Sequence, residues 1–424
     1  MDRLEQMYDR VLQKMDMGHE MEDGELLELI HTVLNESGEE EYIPLQEKIH
    51  LSRELFNAFR KLDILQELIE DEEITEIMIN GTDNIFLEKN GRLFQSDKRF
   101  VSGNKLEDVI QQIVAGTNRY VNEASPIADA RLEDGSRVNV VLKPVALNGP
   151  IMTIRKFPKE KVTFDQLISW GSITDEVVEF LKMLVGARYN IFVSGGTGSG
   201  KTTFLNAMSD YLPKDERIIT IEDNAELQIK GVPNLVRLEA RSANLEGEGS
   251  VTIRDLIRSA LRMRPDRIIV GEVRGDETVD MISSMLNGHS GSMSTGHANN
   301  PTDMLHRLET MMMMGIDMPL TAIQRQVASA IDIIIHLGRL RDKSRKVLEI
   351  AEVLGFEDGM IRIHTLYEFR EEGMENGKIK GWLMKVEELV HSEKLLAAGY
   401  QREGIPAGTD EGAPANGNSG ISVL

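Results

Sequence analysis

Apolar positions along the chain change period more than once. Leu4, Met7, Tyr8, Val11, Leu12 and Met15 recur at helical spacing, as do Leu26, Leu29, Ile30, Val33 and Leu34. After Pro44 the same spacing links Leu51, Leu55, Phe56, Phe59 and Leu62, so residues 1–69 are expected to form a small helical module. From Ile74 the period falls to two: EITEIMINGTDNIFLEKNGRLFQ alternates and is cut by Asn80-Gly81 and Asn90-Gly91, dipeptides that favour hairpin turns. Leu106, Val109, Ile110, Ile113 and Val114 predict a helix over about 105–117. ADARLEDGSRVNVVLKPVA and GPIMTIRKF then read as strands, with a turn at Asp134-Gly135. Together these predict an α/β domain over residues 70–157.

Pro158, in FPKEK, discourages a helix across the join and marks a linker over 158–163. Beyond it, short continuous apolar runs alternate with helical stretches, the pattern of a parallel sheet covered on both faces. The expected strands are Ile191–Val193, Arg217–Ile221, Arg267–Val270, Gly291–Thr295, Ile331–Leu337 and Val347–Val353. Polar turns and an amphipathic helix near Trp382–Leu396 then close a domain over 164–400. The tail, 401–424, is rich in Gly, Pro, Ala and Asn and is expected to be disordered.

Charge narrows the partners. The 424 residues carry a net charge of -22, and residues 1–48 hold 14 Asp or Glu against 4 Lys or Arg. Such a chain repels nucleic acid and anionic lipid, so no nucleic-acid partner is expected. The N-terminus has no apolar signal core, and no run of about 18 apolar residues occurs, so no direct membrane insertion is expected either. A cytoplasmic protein that reaches a membrane through protein partners follows. The absence of cysteine excludes disulfides and a thiolate zinc site.

The chemistry centres on IFVSGGTGSGKTTFLNAM, residues 191–208. A buried strand runs into Gly195, Gly196, Thr197, Gly198, Ser199, Gly200, Lys201, Thr202 and Thr203, and a helix follows. Gly195, Gly200, Lys201 and Thr202 fit G-x-x-x-x-G-K-[ST], the Walker A spacing. Glycines let main-chain amides converge on phosphate oxygens, and the helix start points its partial positive end the same way. ATP is the expected ligand. Lys201 is expected on its β- and γ-phosphates, and the Thr202 hydroxyl on Mg²⁺.

Three later segments point to hydrolysis. RIITIEDNAEL, 217–227, brings Glu222, Asp223 and Glu226 to the end of a strand, where ligands of parallel sheets gather; an acidic turn capping a helix is the alternative. Glu222 is a second candidate ligand for Mg²⁺. RPDRIIVGEVRG, 264–275, ends a buried strand in Gly271 and Glu272, and Glu272 is placed to orient or deprotonate water. NGHSGSMSTGHANNP, 287–301, surrounds His289 and His297 with small polar residues. His297 reads equally as a γ-phosphate sensor or as a structural histidine. Two histidines eight apart without a third ligand do not make a zinc site.

Arginines form a second set. Arg131, Arg137 and Arg155 lie on strands of the 70–157 domain, where they are either ion-paired or grouped to complete a phosphate site. Arg258 and Arg262 fall at i, i+4 on one helical face, as interface or phosphate contacts or as solvated charge. The run Met311–Met314 reads as part of a core helix.

In this order the segments resemble the traffic ATPases of type II and type IV secretion and type IV pili. More narrowly, they resemble the CpaF branch that serves tight-adherence (Flp) pili. The resemblance rests on ITEIMING, DARLEDGSRVN, GPIMTIRKF, GGTGSGKTT, TIEDNAEL, LRMRPDRIIVGEVRG, GHSGSMSTGHANNP and RLETM, over roughly residues 65–355. It implies a PAS-like domain joined to a RecA-like P-loop ATPase domain, working as a homo-hexamer beneath an inner-membrane pilus platform. It further implies TIEDNAEL as an Asp box, Glu272 as the Walker B glutamate, and 288–297 as a His box. Arg131, Arg137 and Arg155 match the arginines that the N-terminal domain turns toward nucleotide. The tetracysteine insert of type II secretion members is missing, which favours the CpaF branch. A type IV secretion or DNA-uptake ATPase and a nucleotide-gated scaffold are the alternatives.

Overall fold

Helical spacing at the start of the chain closes a small core of its own. In the computed structural model, which describes residues 3–15, 21–40, 42–89, 91–116, 120–157, 160–241, 243 and 248–400, the helices α1 (Arg3–Lys14), α2 (Asp23–Glu40) and α3 (Leu45–Arg60) bury Val11, Leu26, Ile30, Val33 and Leu55 among themselves. The tail 401–424 and residues 158 and 159 of the expected linker lie outside the described residues.

A short α4 (Leu65–Glu70) leads into strands β1 (Ile74–Asn80), β2 (Ile85–Lys89) and β3 (Arg92–Gln95), then α5 (Gly103–Ala115), then β4 (Ile127–Arg131), β5 (Arg137–Val141) and β6 (Ile151–Arg155). They form an antiparallel sheet in the order β3-β2-β1-β6-β5-β4. Leu106, Val109, Ile110 and Val114 of α5 pack on one face of it, and Ser102 caps the helix by accepting from Lys105 N–H. Gly81 (φ +80°) and Gly135 (φ +89°) take the left-handed turns that the sequence pattern requires. This first unit ends at residue 159.

The second unit opens with α6 (Phe164–Ser169), held by a Thr163/Gln166 capping box, and α7 (Asp175–Gly186). Its elements continue as β7 (Ile191–Gly195), α8 (Lys201–Met208), β8 (Ile218–Glu222), β9 (Leu235–Glu239), α9 (Ile253–Ala260), β10 (Arg267–Val270), α10 (Thr278–Leu286), β11 (Met293–Gly296), α11 (Pro301–Gly315), α12 (Leu320–Ala330), β12 (Ile333–Arg339), β13 (Arg345–Glu357), β14 (Met360–Glu375), β15 (Lys378–Lys385) and α13 (Glu393–Ala397). The sheet order is β15-β14-β13-β12-β7-β11-β10-β8-β9, parallel from β12 to β9 and antiparallel beyond β12. Strands β7, β8, β10 and β11 are buried along their whole length because apolar layers cover both faces. Leu181, Leu205 and Met208 lie in one layer, and Ile257, Ile282, Leu308 and Val327 in the other.

Several expectations are corrected here. The region read as polar turns and an amphipathic helix over Trp382–Leu396 is an antiparallel meander with Trp382 inside β15, and only Glu393–Ala397 is helical. Register shifts at Ile350/Ala351, Val353/Gly355 and Glu371/Gly373 interrupt the period of two and hide these strands from a pattern count. Arg258 and Arg262 do not share a helical face. The helix α9 stops at Ala260, Arg262 lies in the turn beyond it, and Pro265 follows Arg264 at φ +57°. The methionine run divides: Met311 and Met312 are in the core, whereas Met313 and Met314 are exposed.

Candidate functional site

The phosphate loop exists because a glycine is the only residue that fits where β7 ends. A Cβ at Gly195 would stand 2.4 Å from the Leu337 carbonyl oxygen of the neighbouring strand and 2.6 Å from Ser199 Oγ. Gly198 (φ +69°) and Gly200 (φ +96°) turn the chain into α8, with Gly200 as its N-cap. The first-turn amides of α8, from Lys201, Thr202 and Thr203, have no acceptor within the helix, the ordinary condition of a helix start and a ready anion site. Ser199 Oγ is buried without a hydrogen-bond partner among the described residues. Gly196, Thr197 and Gly198 are exposed at the loop tip, and Thr202, second in the helix, is half-buried.

Lys201 is buried and turned back onto its own loop. Its Nζ donates to the carbonyls of Gly195 at 3.1 Å and Gly196 at 3.2 Å, and lies 3.3 Å from His297 Nδ1. His297 Nε2 in turn lies 2.9 Å from Glu272 Oε1. That approach is not an aligned hydrogen bond, since Oε1 has no hydrogen-bond partner among the described residues. Glu272 Oε2 accepts from Arg274 Nε at 3.0 Å and Nη2 at 2.7 Å. Burial, together with the Lys201 charge, holds the His297 imidazole below its ordinary range and outweighs the pull of Glu272. A neutral ring accepting from Lys201 at Nδ1 carries its proton on Nε2, facing the carboxylate.

The residues 59–403 match the profile of the type II/IV secretion system protein family. The chain belongs to this family. A Mycobacterium tuberculosis protein with the provisional name of a conjugal transfer protein is 36% identical over 310 residues, which cover 72% of this chain and 87% of that one. The type IV secretion system protein VirB11 of Brucella abortus is 30% identical over 307 residues, covering 65% of this chain and 84% of that one. Among solved structures, the ATPase DotB of Legionella pneumophila superposes with a TM-score of 0.50 at 23% identity, covering 69% of this chain and 80% of the other, which shows the fold.

Within this secretion-family chain the remaining candidates separate. Glu222, at the end of β8, is 3% exposed. Its Oε2 accepts from the N–H groups of Glu226 at 2.8 Å and Leu227 at 2.9 Å, while Oε1 is buried with no partner among the described residues. Burial pushes its carboxyl up to about 7, against the pull of the two amides. Gly271 is what lets it sit there, since a Cβ at 271 would meet Glu222 Cγ at 2.9 Å. Asp223 is exposed, 4.0 Å from Arg274. His289 Nδ1 donates to the Pro265 carbonyl, 3.1 Å away, and belongs to the scaffold. Arg258 pairs with Asp280 at 3.0 Å on α10, and Arg262 is exposed.

In the first unit the three arginines form a row. Arg131 is the cross-strand partner of Arg137, and Arg137 that of Arg155, with Glu76 next in line on β1. Directly opposed residues share a face of the sheet, so all three project from the same side.

Sequence reading missed Arg274, which clasps Glu272, and His336, whose Nδ1 lies 2.9 Å from Ser194 Oγ beneath the loop. It also missed Arg345, whose Nε donates to the Gly198 carbonyl at 2.8 Å. For Arg345 a signal was present: it stands in RLRDKSRK, a basic run in an acidic chain. Among the described residues, no group of three or more His, Asp or Glu is arranged to hold a metal, and no helix is long and apolar enough to cross a membrane.

Proposed function

We propose that this protein is a Mg²⁺-dependent ATPase that acts as a homo-hexameric cytoplasmic ring on an inner-membrane platform and assembles a tight-adherence pilus, as the CpaF branch does. The observation that carries the reading is the wiring of Lys201 to Glu272 through His297 at the mouth of a glycine loop. A cation for the terminal phosphates and a carboxylate for the attacking water are linked before any nucleotide arrives.

On this reading the loop amides and Lys201 neutralise phosphate charge, and Glu272 orients water and takes its proton. Lys201 leaves the carbonyls of Gly195 and Gly196 for the β- and γ-phosphates, and His297 registers that move at Glu272. Thr202 would hold Mg²⁺, with the unpartnered Oε1 of Glu222 as a second candidate. Two such oxygens suit an ion that keeps several of its waters. Bound there, the ion offsets the charge of the terminal phosphates.

The region 70–157 is read as PAS-like, 1–69 as a helical module, 158–163 as the hinge and 164–400 as the RecA-like motor. The row Arg131, Arg137 and Arg155 supplies fingers to the developing charge. Such fingers are worth about 10³ to 10⁵ in rate in related chemistry. The absence of cysteine, and hence of a tetracysteine insert, supports the CpaF branch.

The names of the relatives favour a second reading, a type IV secretion or conjugal-transfer ATPase on the same fold. Neighbouring genes discriminate the two: prepilin and platform genes for one, conjugation genes for the other. Phosphate release by the full chain with Mg²⁺ and ATP tests hydrolysis itself. Turnover no higher than that of Lys201→Ala would leave only a nucleotide-gated scaffold.

A further inference from the structure

Two cations from the second unit stand at the flank of the phosphate loop. Strand β12 pairs with β7 so that Leu337 lies beside Gly195, and the chain then runs past the edge of the sheet as GRLRDKSRKV before returning in β13. At the base of this turn Arg339 and Arg345 are direct cross-strand partners. The pair brings two positive charges close to the phosphate loop in a protein of net charge -22.

Arg345 is also fixed in place. Its carbonyl accepts from Ser172 Oγ at 2.7 Å, and the next residue, Lys346, donates to the Gly171 carbonyl at 2.6 Å. Its guanidinium donates through Nε to the Gly198 carbonyl at 2.8 Å, and its Cδ lies 3.5 Å from where a Cβ of Gly200 would stand. Arg341, in the same run, is instead engaged by Glu371 on β14. The strand order puts β12 and β11 on opposite sides of β7. Arg345 therefore reaches the loop from the side away from His297 on the β11 side, and so away from the reacting phosphate.

We propose that Arg345, backed by Arg339, is a nucleotide-binding residue of the same chain that holds the part common to nucleoside di- and triphosphates, the inner phosphates, rather than the transferred group. This rests on the nucleotide reading of the glycine loop above. An interaction made equally in ground and transition states sets affinity without setting the rate of the chemical step.

The test is the binding of ATP and of ADP to the full chain, with steady-state turnover, for Arg345→Gln and Arg345→Lys. Arg345→Gln keeps an N–H donor for the loop but loses the charge, and about a tenfold loss is expected for both nucleotides. Arg345→Lys keeps the charge and is expected to lose about threefold, with kcat near wild type in both variants. Affinities within twofold of wild type in both variants, a loss confined to kcat, or a lysine variant no better than glutamine would overturn it. Lys201→Ala separates the two levels of inference. If that variant binds nucleotide normally, the reading of the loop fails and this inference with it; if it does not, and Arg345→Gln binds normally, only the inference fails.

Discussion

Arg137 is paired across the sheet with Arg131, side by side on one face, and with Arg155 on its other flank. On the finger reading of this row, Arg137→Ala is expected to slow ATP turnover by at least about a hundredfold while the protein still unfolds near the wild-type temperature. Thermal unfolding and phosphate release measured on the same preparation check this. A variant that is destabilised yet turns over normally would assign the row to the scaffold.

Gly195 and Gly196 are adjacent glycines with opposite constraints. A Cβ at 195 meets backbone at 2.4 Å, whereas one at 196 meets nothing within 4 Å. Gly195→Ala is expected to cost about 1–3 kcal/mol in chemical denaturation. Gly196→Ala is expected to stay within about 0.5 kcal/mol of wild type.

Arg267 is completely buried, and its Nε and Nη2 are held by the two oxygens of Glu216. Removing the carboxylate strands a charge in the core, so Glu216→Ala is expected to cost about 3–5 kcal/mol. The same guanidinium explains a glycine of the histidine-bearing segment. A Cβ at Gly291 would lie 2.6 Å from Arg267 Nη1, so Gly291→Ala is expected to destabilise as well. Urea unfolding of both variants checks the pair.

His336 is buried beside Ser194, and burial holds its imidazole below the ordinary histidine value. Because the unfolded chain takes up the proton first, the stability this group contributes is present above about pH 6.5 and is lost as pH falls toward the folded value. Thermal unfolding between pH 8 and pH 5 is expected to show a decline that is shallower in His336→Asn. Equal slopes in the two proteins would contradict the role given to burial.

How much of this was legible depends on the range of each interaction. The strands β7 and β10 could be read because continuous apolar runs end in Gly195 and Gly271, and the glycine loop because its spacing is local. Glu272 and His297 were legible as candidates, since each follows a buried strand, but their contact depends on β10 and β11 lying side by side. Arg131, Arg137 and Arg155 were visible as strand residues. Their alignment was not, because register is set by the turn at Gly135 and by the β5–β6 pairing. Arg345 was missed because its partner, Gly198, is 147 positions away. Strand β13 was legible over Val347–Val353, whereas β14 and β15 were misread because bulges break the alternation that identifies a strand.

Glu272 is the group on which hydrolysis turns, and single-turnover hydrolysis in Glu272→Gln, with ATP affinity measured alongside, tests that role. The expected result is near-normal ATP binding with hydrolysis slowed at least about a hundredfold, since the amide still fills the place beside His297 but cannot take a proton from water. Hydrolysis at the wild-type rate, with binding intact, would contradict it.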